Sequence, residues 1–186
     1  MKNFLLAFII IIVFSSISFS QTHKSNSKSW GLELDGGVTI PLGSFSDLYK
    51  PSGNAGLEVS NNISKNFAVF VNGRFNFLSN KDTSIVGTST YVELTAGGRY
   101  YLGKSTSRFF LEAAAGDYIY DYSFTELQGN VTSLTKNNLG VNAGIGFETG
   151  SAKSMRFIIK SKYHTVFTQG KATNYLGIYA GLRYAI

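Results

Sequence analysis

A chain of 186 residues carrying a formal net charge of +6 has room for about one domain. Charged residues make up 15% of it, against roughly 25% in ordinary soluble domains, whereas glycine (20), phenylalanine (15) and tyrosine (11) are plentiful, which argues against a disordered chain or a coiled coil. Two prolines exclude collagen and proline-rich linkers, and the absence of cysteine excludes disulfide staples, thiolate zinc sites, cysteine nucleophiles and bacterial lipid attachment at a cysteine.

The N-terminal segment points to export. Lys2 supplies a positive start, Phe4 to Phe14 is an unbroken apolar run, and Ser18-Phe19-Ser20 before Gln21 has the small-x-small form of a signal-peptidase site. This predicts a signal peptide over 1–20, a polar tail over 21–29 with His23, Lys24 and Lys28, and a folded domain over 30–186. A retained helical anchor would need about 20 apolar residues, and Ser15 and Ser16 interrupt this run well before that. Removing Lys2 with the leader takes the formal charge from +6 to +5. The lysines that remain do not form a stripe: Lys50, Lys65, Lys81, Lys104, Lys136, Lys153 and Lys171 fall singly in successive connections, with no interleaved aromatic platform, so no nucleic-acid partner is expected.

From Trp30 onward a period of two dominates, the signature of strands whose successive side chains point to opposite faces. Eight such runs follow. The first sets Trp30, Leu32, Leu34, Val38 and Ile40 against Glu33, Asp35 and Thr39. The second sets Ala55, Leu57 and Val59 against Gly56, Glu58 and Ser60. In the third, Phe67, Val69, Val71, Phe75 and Phe77 oppose Asn72, Arg74 and Asn76. In the fourth, Val92, Leu94, Ala96, Tyr100 and Leu102 oppose Glu93, Thr95 and Arg99. The fifth begins with Phe109, Leu111, Ala113 and Ala115 against Glu112, then meets Asp117 on its apolar face. A β-bulge at Gly116-Asp117 is expected there, moving Tyr118, Tyr120 and Tyr122 to the apolar side. The sixth sets Leu139, Val141, Ala143, Ile145 and Phe147 against Asn142 and Glu148. The seventh sets Met155, Phe157, Ile159 and Tyr163 against Arg156, Lys160, Lys162 and His164. The eighth sets Leu176, Ile178, Ala180, Leu182, Tyr184 and Ile186 against Tyr175, Tyr179 and Arg183.

The connections alternate in length. Residues 41–52, 79–89, 123–138 and 168–174 read as long or variable, while 62–66, 103–107 and 149–154 read as short. An even number of strands, short turns at one end and longer loops at the other are the pattern of an outer-membrane barrel, with both termini on the periplasmic side. Which face lies inside follows from the glycines: Gly31, Gly37, Gly56, Gly97, Gly116, Gly140, Gly144, Gly146, Gly177 and Gly181 all fall on the polar face. Glycine weakens a solvent-facing strand, yet inside a narrow barrel it leaves room for long side chains. The polar face is therefore expected inward. That places Glu33, Asp35, Glu58, Glu93, Glu112 and Glu148 in one lumen with Arg74, Arg99, Arg156, Lys160, Lys162 and Arg183, an equality that predicts a paired network. Closure of the first strand on the eighth is expected to bring Arg183 near Glu33 or Asp35.

These features resemble the family of small eight-stranded outer-membrane β-barrels, the OmpA-like transmembrane barrel domains often given a porin-family label. The likeness covers roughly Trp30 to Ile186. Ile40-Pro41-Leu42-Gly43-Ser44-Phe45-Ser46 is similar to the family's usual first-loop opening, and Tyr175 to Ile186 resembles its C-terminal assembly signal, with Ile186 where the family usually has Phe. The resemblance implies an all-β, antiparallel up-and-down barrel in the outer membrane of a Gram-negative-type cell. Its implied partners are membrane lipid, the barrel-assembly machinery and an extracellular loop partner of unspecified kind, and it implies a monomer.

No catalytic residue, metal ligand set or cofactor is expected. Small outer-membrane barrels include lipid-modifying enzymes, but Ser161 falls on the apolar face and His164 on the polar one, which opposes a Ser–His pair. Gly144-Ile145-Gly146 followed by Gly150 lacks the spacing of a dinucleotide loop. Three function classes remain: a structural or surface-interaction barrel with long extracellular loops, which the sequence favours; a narrow pore for small solutes; and an exported, soluble lipocalin-like binding barrel.

Overall fold

The structure, a computed structural model, describes residues 30–81, 86–103, 106–125, 131–150, 155–170 and 172–186. The expected leader and polar tail lie outside the described residues. The strands are β1 (Trp30–Leu42), the two-residue β2 (Tyr49–Lys50), β3 (Ser52–Asn62), β4 (Phe67–Asn80), β5 (Val86–Leu102), β6 (Arg108–Thr125), β7 (Val131–Gly150), β8 (Met155–Phe167) and β9 (Ala172–Ala185). One short helix, α1 (Phe45–Leu48), lies in the first loop.

Eight of these strands form a closed antiparallel barrel. Each of β3 to β9 pairs with its neighbour in sequence, β1 pairs with β3, and β1 and β9 close the ring from Gly31↔Ala185 to Leu42↔Asn174. Closure leaves no sheet edge around the wall, the condition for a β-structure in lipid. The register is staggered. Following paired residues once round from Leu34, through Leu57, Gly73, Leu94, Asp117, Leu139 and Phe167, the circuit ends at Ala172, the loop-end residue of β9. Such a shear accompanies the strand tilt that closes a barrel.

Burial is the inverse of a soluble protein. Leu34, Phe109, Leu139 and Ile145 point outward and are more than 60% exposed, whereas Glu33, Glu58 and Glu148 are fully buried inside. Lumen glycines seat large neighbours: a Cβ at Gly177 would overlap the Tyr179 ring, one at Gly146 the Phe110 ring, and one at Gly56 the Arg74 guanidinium. Omitting a side chain at one position makes space for a longer one beside it.

Two expectations need correction. No bulge interrupts β6: its register runs unbroken from Ser89↔Tyr122 to Leu102↔Phe109 against β5, and along its whole length against β7. Tyr118 therefore points inward and is fully buried, while Asp117 keeps its outward direction. The energetic reason is that the Tyr118 hydroxyl gains buried partners in the lumen, described below. Second, the connections 79–89 and 123–138 are mostly strand. β4 runs on to Asn80, β6 to Thr125 and β7 back to Val131, because these polar, β-branched stretches continue the ladder. Closure sets Arg183 directly opposite Glu33 across the β1–β9 seam, and its ion pair is with Glu148.

Candidate functional site

Among the described residues the lumen gathers the chemically active side chains, and strand alternation delivers them in three tiers. In the central tier, β1 contributes Glu33 and Asp35, β3 Glu58 and β6 Glu112. Their cations come from β4 (Arg74), β5 (Arg99) and β8 (Lys160 and Lys162). Glu33 and Glu58 lie directly opposite each other, a repulsive pairing by itself. Two cations resolve it: Lys160 Nζ lies 2.5 Å from Glu33 and 3.4 Å from Glu58, and Arg99 lies 3.2 Å and 2.8 Å from the same two carboxylates. Arg99 also reaches Glu112 at 2.7 Å, Lys162 reaches Glu112 at 2.7 Å, Lys160 reaches Asp35 at 2.9 Å and Arg74 reaches Asp35 at 2.6 Å. Four acids meet four bases. All eight are buried, so an unpaired member would carry a desolvation penalty of several kcal/mol.

The tier toward the short turns is built differently. Glu148 is the shared acceptor for Arg108 (2.7 Å), Arg156 and Arg183 (3.4 Å). Arg183 also donates to the Tyr101 hydroxyl, and the Arg108 guanidinium stacks 3.5 Å from the Tyr101 ring. Tyr101, Phe110, Ile158 and Ala68 form the apolar packing at this end.

Toward the loops the tier is mostly neutral. Glu93 accepts hydrogen bonds from the Tyr91 and Tyr175 hydroxyls and the Asn76 amide, each at 2.9 Å. His164 lies 3.7 Å from Glu93 and is ringed by hydroxyls: Nδ1 is 2.8 Å from Tyr175 and 3.2 Å from Tyr118, and Nε2 is 3.0 Å from Tyr179. Asn142 donates to the Tyr118 hydroxyl at 3.1 Å. Above them the first loop folds inward. Phe45 of α1 is buried against Tyr49, Tyr120 and Tyr175, with ring centroids 4.9, 6.4 and 6.3 Å away, and stops the lumen at this end.

All twelve charged residues singled out from the sequence thus point into the lumen, but they divide among three tiers rather than joining one network. Arg108, Tyr91, Tyr118 and Tyr120 belong with them and escape the sequence reading. Unbroken alternation through Arg108, Phe110, Glu112, Ala114, Gly116, Tyr118 and Tyr120 is the signal that finds most of them. Ser161 lies on the outward face and His164 inside, so the two do not meet. Among the described residues no group of three or more metal-ligating side chains is placed to hold an ion.

A closed eight-stranded antiparallel barrel with an apolar wall and a polar, filled lumen is the fold of the small outer-membrane β-barrels. No protein-family model matches the chain, and no curated protein matches it in sequence. Solved structures do. Neisserial surface protein A superposes with a TM-score of 0.62 at 15% identity, over 87% of this chain and all of that one. Ail, the attachment invasion locus protein of Yersinia pestis, gives 0.57 at 16% identity, covering 83% of this chain and 96% of its own. A major outer membrane protein of Thermus thermophilus gives 0.57 at 8% identity, covering 84% and 99%. At these identities the likeness is one of fold.

Proposed function

We propose that the chain is an outer-membrane barrel, turns in the periplasm and loops outside the cell, that acts through its loop end as a surface-interaction protein and does not conduct solutes. The observation that carries this reading is the sheet projecting from the loop end. β6 and β7 have 18 and 20 residues against 13 in β1 and β8. Pairing of β7 with β8 stops at Leu139↔Phe167, while pairing with β6 continues to Val131↔Thr125. Eight further residues of β7 extend past its β8 neighbour, roughly 25 Å of strand. Thr135, Lys136, Asn137 and Asn138 in this stretch are polar and favour water over lipid, and a sheet that continues past its β8 neighbour is a surface for contact.

The filled lumen supports a role at the surface over one in transport. Phe45 covers the loop end, and the central ion pairs occupy the space below. Eight strands leave an interior just wide enough for side chains. The wall supports lipid over a soluble life, since its large apolar side chains face outward. Ail, similar in fold alone, is named for attachment and has also been solved with the heparin analogue sucrose octasulfate, which makes sulfated polysaccharide a reasonable first ligand to try.

The test is an epitope inserted between residues 126 and 130, combined with planar-bilayer recording of the purified monomer. The tag should be reached by antibody on intact cells, and the monomer should give no long-lived, uniform openings. A tag reached only after permeabilisation, release of the protein by high salt without detergent, or steady monomer conductance would overturn the reading.

A further inference from the structure

The charge arithmetic of the turn-side tier does not close. Three guanidiniums, from Arg108, Arg156 and Arg183, converge on the single carboxylate of Glu148, whereas four cations face four carboxylates in the centre. Arg156 and Arg183 are also direct cross-strand partners on β8 and β9, both inward, a like-charge pairing that destabilises a sheet. In the centre the equivalent pairing of Glu33 with Glu58 is bridged by two counter-charges. Here Glu148 alone serves, and it is spent on Arg108 as well. Two positive charges are left over.

These donors are held in place and open to the turn side. Arg108 stacks on Tyr101 and donates to the Lys65 carbonyl at 3.5 Å, and Arg183 donates to Asn62 at 3.4 Å. The Arg108 and Arg156 side chains keep 15% and 14% exposure, while the centre is sealed. Arg108 Nε and Arg156 Nη1 donate to the same Glu148 oxygen, so one acceptor atom is shared by two forks. In sequence the three turn segments, 62–66, 103–107 and 149–154, carry one lysine each and no acid, whereas Asp47, Asp82 and Glu126 lie among the loops.

We infer that the turn-side mouth of the barrel is an oxyanion site, in which a phosphate group is gripped between Arg108 and Arg156 with Arg183 behind them. A phosphate dianion matches the two uncompensated charges, and its oxygens match guanidinium forks in geometry. The group comes either from the solution bathing the turns or from a phospholipid headgroup at the rim.

The test uses the full barrel folded in maltoside micelles, which hold no phosphate, and follows the arginine Nε–Hε resonances during titration with sodium phosphate, with sodium chloride matching ionic strength. Saturable shifts at Arg108 and Arg156 are expected, with affinity falling roughly tenfold or more in Arg156→Gln, the loss of a charge-assisted bond. A second arm repeats the titration in phosphate-free buffer after transfer to phosphatidylglycerol nanodiscs. Resonances already at their bound positions identify the headgroup as the ligand, and resonances that still move on adding phosphate identify the free anion. Shifts no different from those with chloride, or saturable shifts of the Arg183 Nε–Hε resonance that persist with unchanged affinity in Arg108→Gln/Arg156→Gln, would overturn the site. Should a variant fail to fold, the wild-type comparison of phosphate with chloride decides alone.

Discussion

Glu33 and Glu93 are both buried carboxylates in one narrow lumen, and the barrel satisfies them in opposite ways. Glu33 sits between Lys160 and Arg99, so its charge is cancelled by charge. Glu93 is solvated by neutral donors, two tyrosine hydroxyls and an amide, as water would do it. The first arrangement is strong and exacting, because removing either Lys160 or Arg99 deprives three acids of a cation at once. The second divides the work among many weak bonds, and losing one leaves others in place. The central tier therefore acts as a rigid pin, and the loop-side tier as a graded seam beneath the Phe45 stopper.

The comparison is most severely broken by Arg99→Met. That change leaves Glu33, Glu58 and Glu112 short of a shared cation and should destabilise the barrel by about 3–5 kcal/mol in chemical unfolding from lipid vesicles. An unchanged unfolding midpoint would mean the centre is not held by its ion pairs. Glu93→Gln should cost less, about 1–3 kcal/mol in the same assay, since the three donors converge on one oxygen that the Gln amide oxygen can replace, so only the charge assistance of those bonds is lost and no cation is stranded. A loss equal to that of Arg99→Met would erase the distinction between the tiers.

Double-mutant cycles sharpen the boundary between tiers. Arg183 and Glu148 should couple by about 0.5–3 kcal/mol, whereas Arg183 and Glu33, though paired in register, should be additive within roughly 0.5 kcal/mol. The smallest effect expected is that of Tyr118→Phe, about 1 kcal/mol from the lost hydroxyl bonds. An outward-facing Tyr118 would give almost none, so this substitution separates the continuous register of β6 from a bulged one.

The two ways of burying a carboxylate also differ in how far they are legible in the sequence. Ion pairing leaves a count behind it: acids and bases on the same face of successive strands can be matched before any coordinates exist. Solvation by tyrosine leaves none, because a tyrosine suits the lumen, the membrane boundary and the loop surface alike. Asp117 adds to the ambiguity. An acid on the apolar face invites a bulge, and only the pairing of Leu94 and Leu139 on either side shows the ladder passing straight through. Arg108 is lost for a related reason, since a short turn and the first residue of a strand look alike when no apolar partner precedes them. Strand ends at the loop side are hidden too, because backbone pairing beyond the wall continues in water without the apolar alternation that marks it within.

The seams of the wall are not equivalent along the chain. Seven join strands that follow one another in the barrel, so each closes over a short span, and only the β1–β9 seam joins residues from opposite ends. Loop closure grows costlier with span, which makes that seam the slow, non-local step of assembly. Its geometry also supplies a remedy: the Ile186 amide donates to the Trp30 carbonyl at 3.0 Å, so the two ends of the barrel already touch. A circular permutant that links residue 186 to residue 30 through a short peptide and opens the chain between residues 126 and 130 would retain all eight seams. The β1–β9 seam becomes a local hairpin, and the β6–β7 seam becomes the distant one. Refolding rates of the two forms, compared in the same lipid, would show whether closure is governed by chain order or by the wall itself.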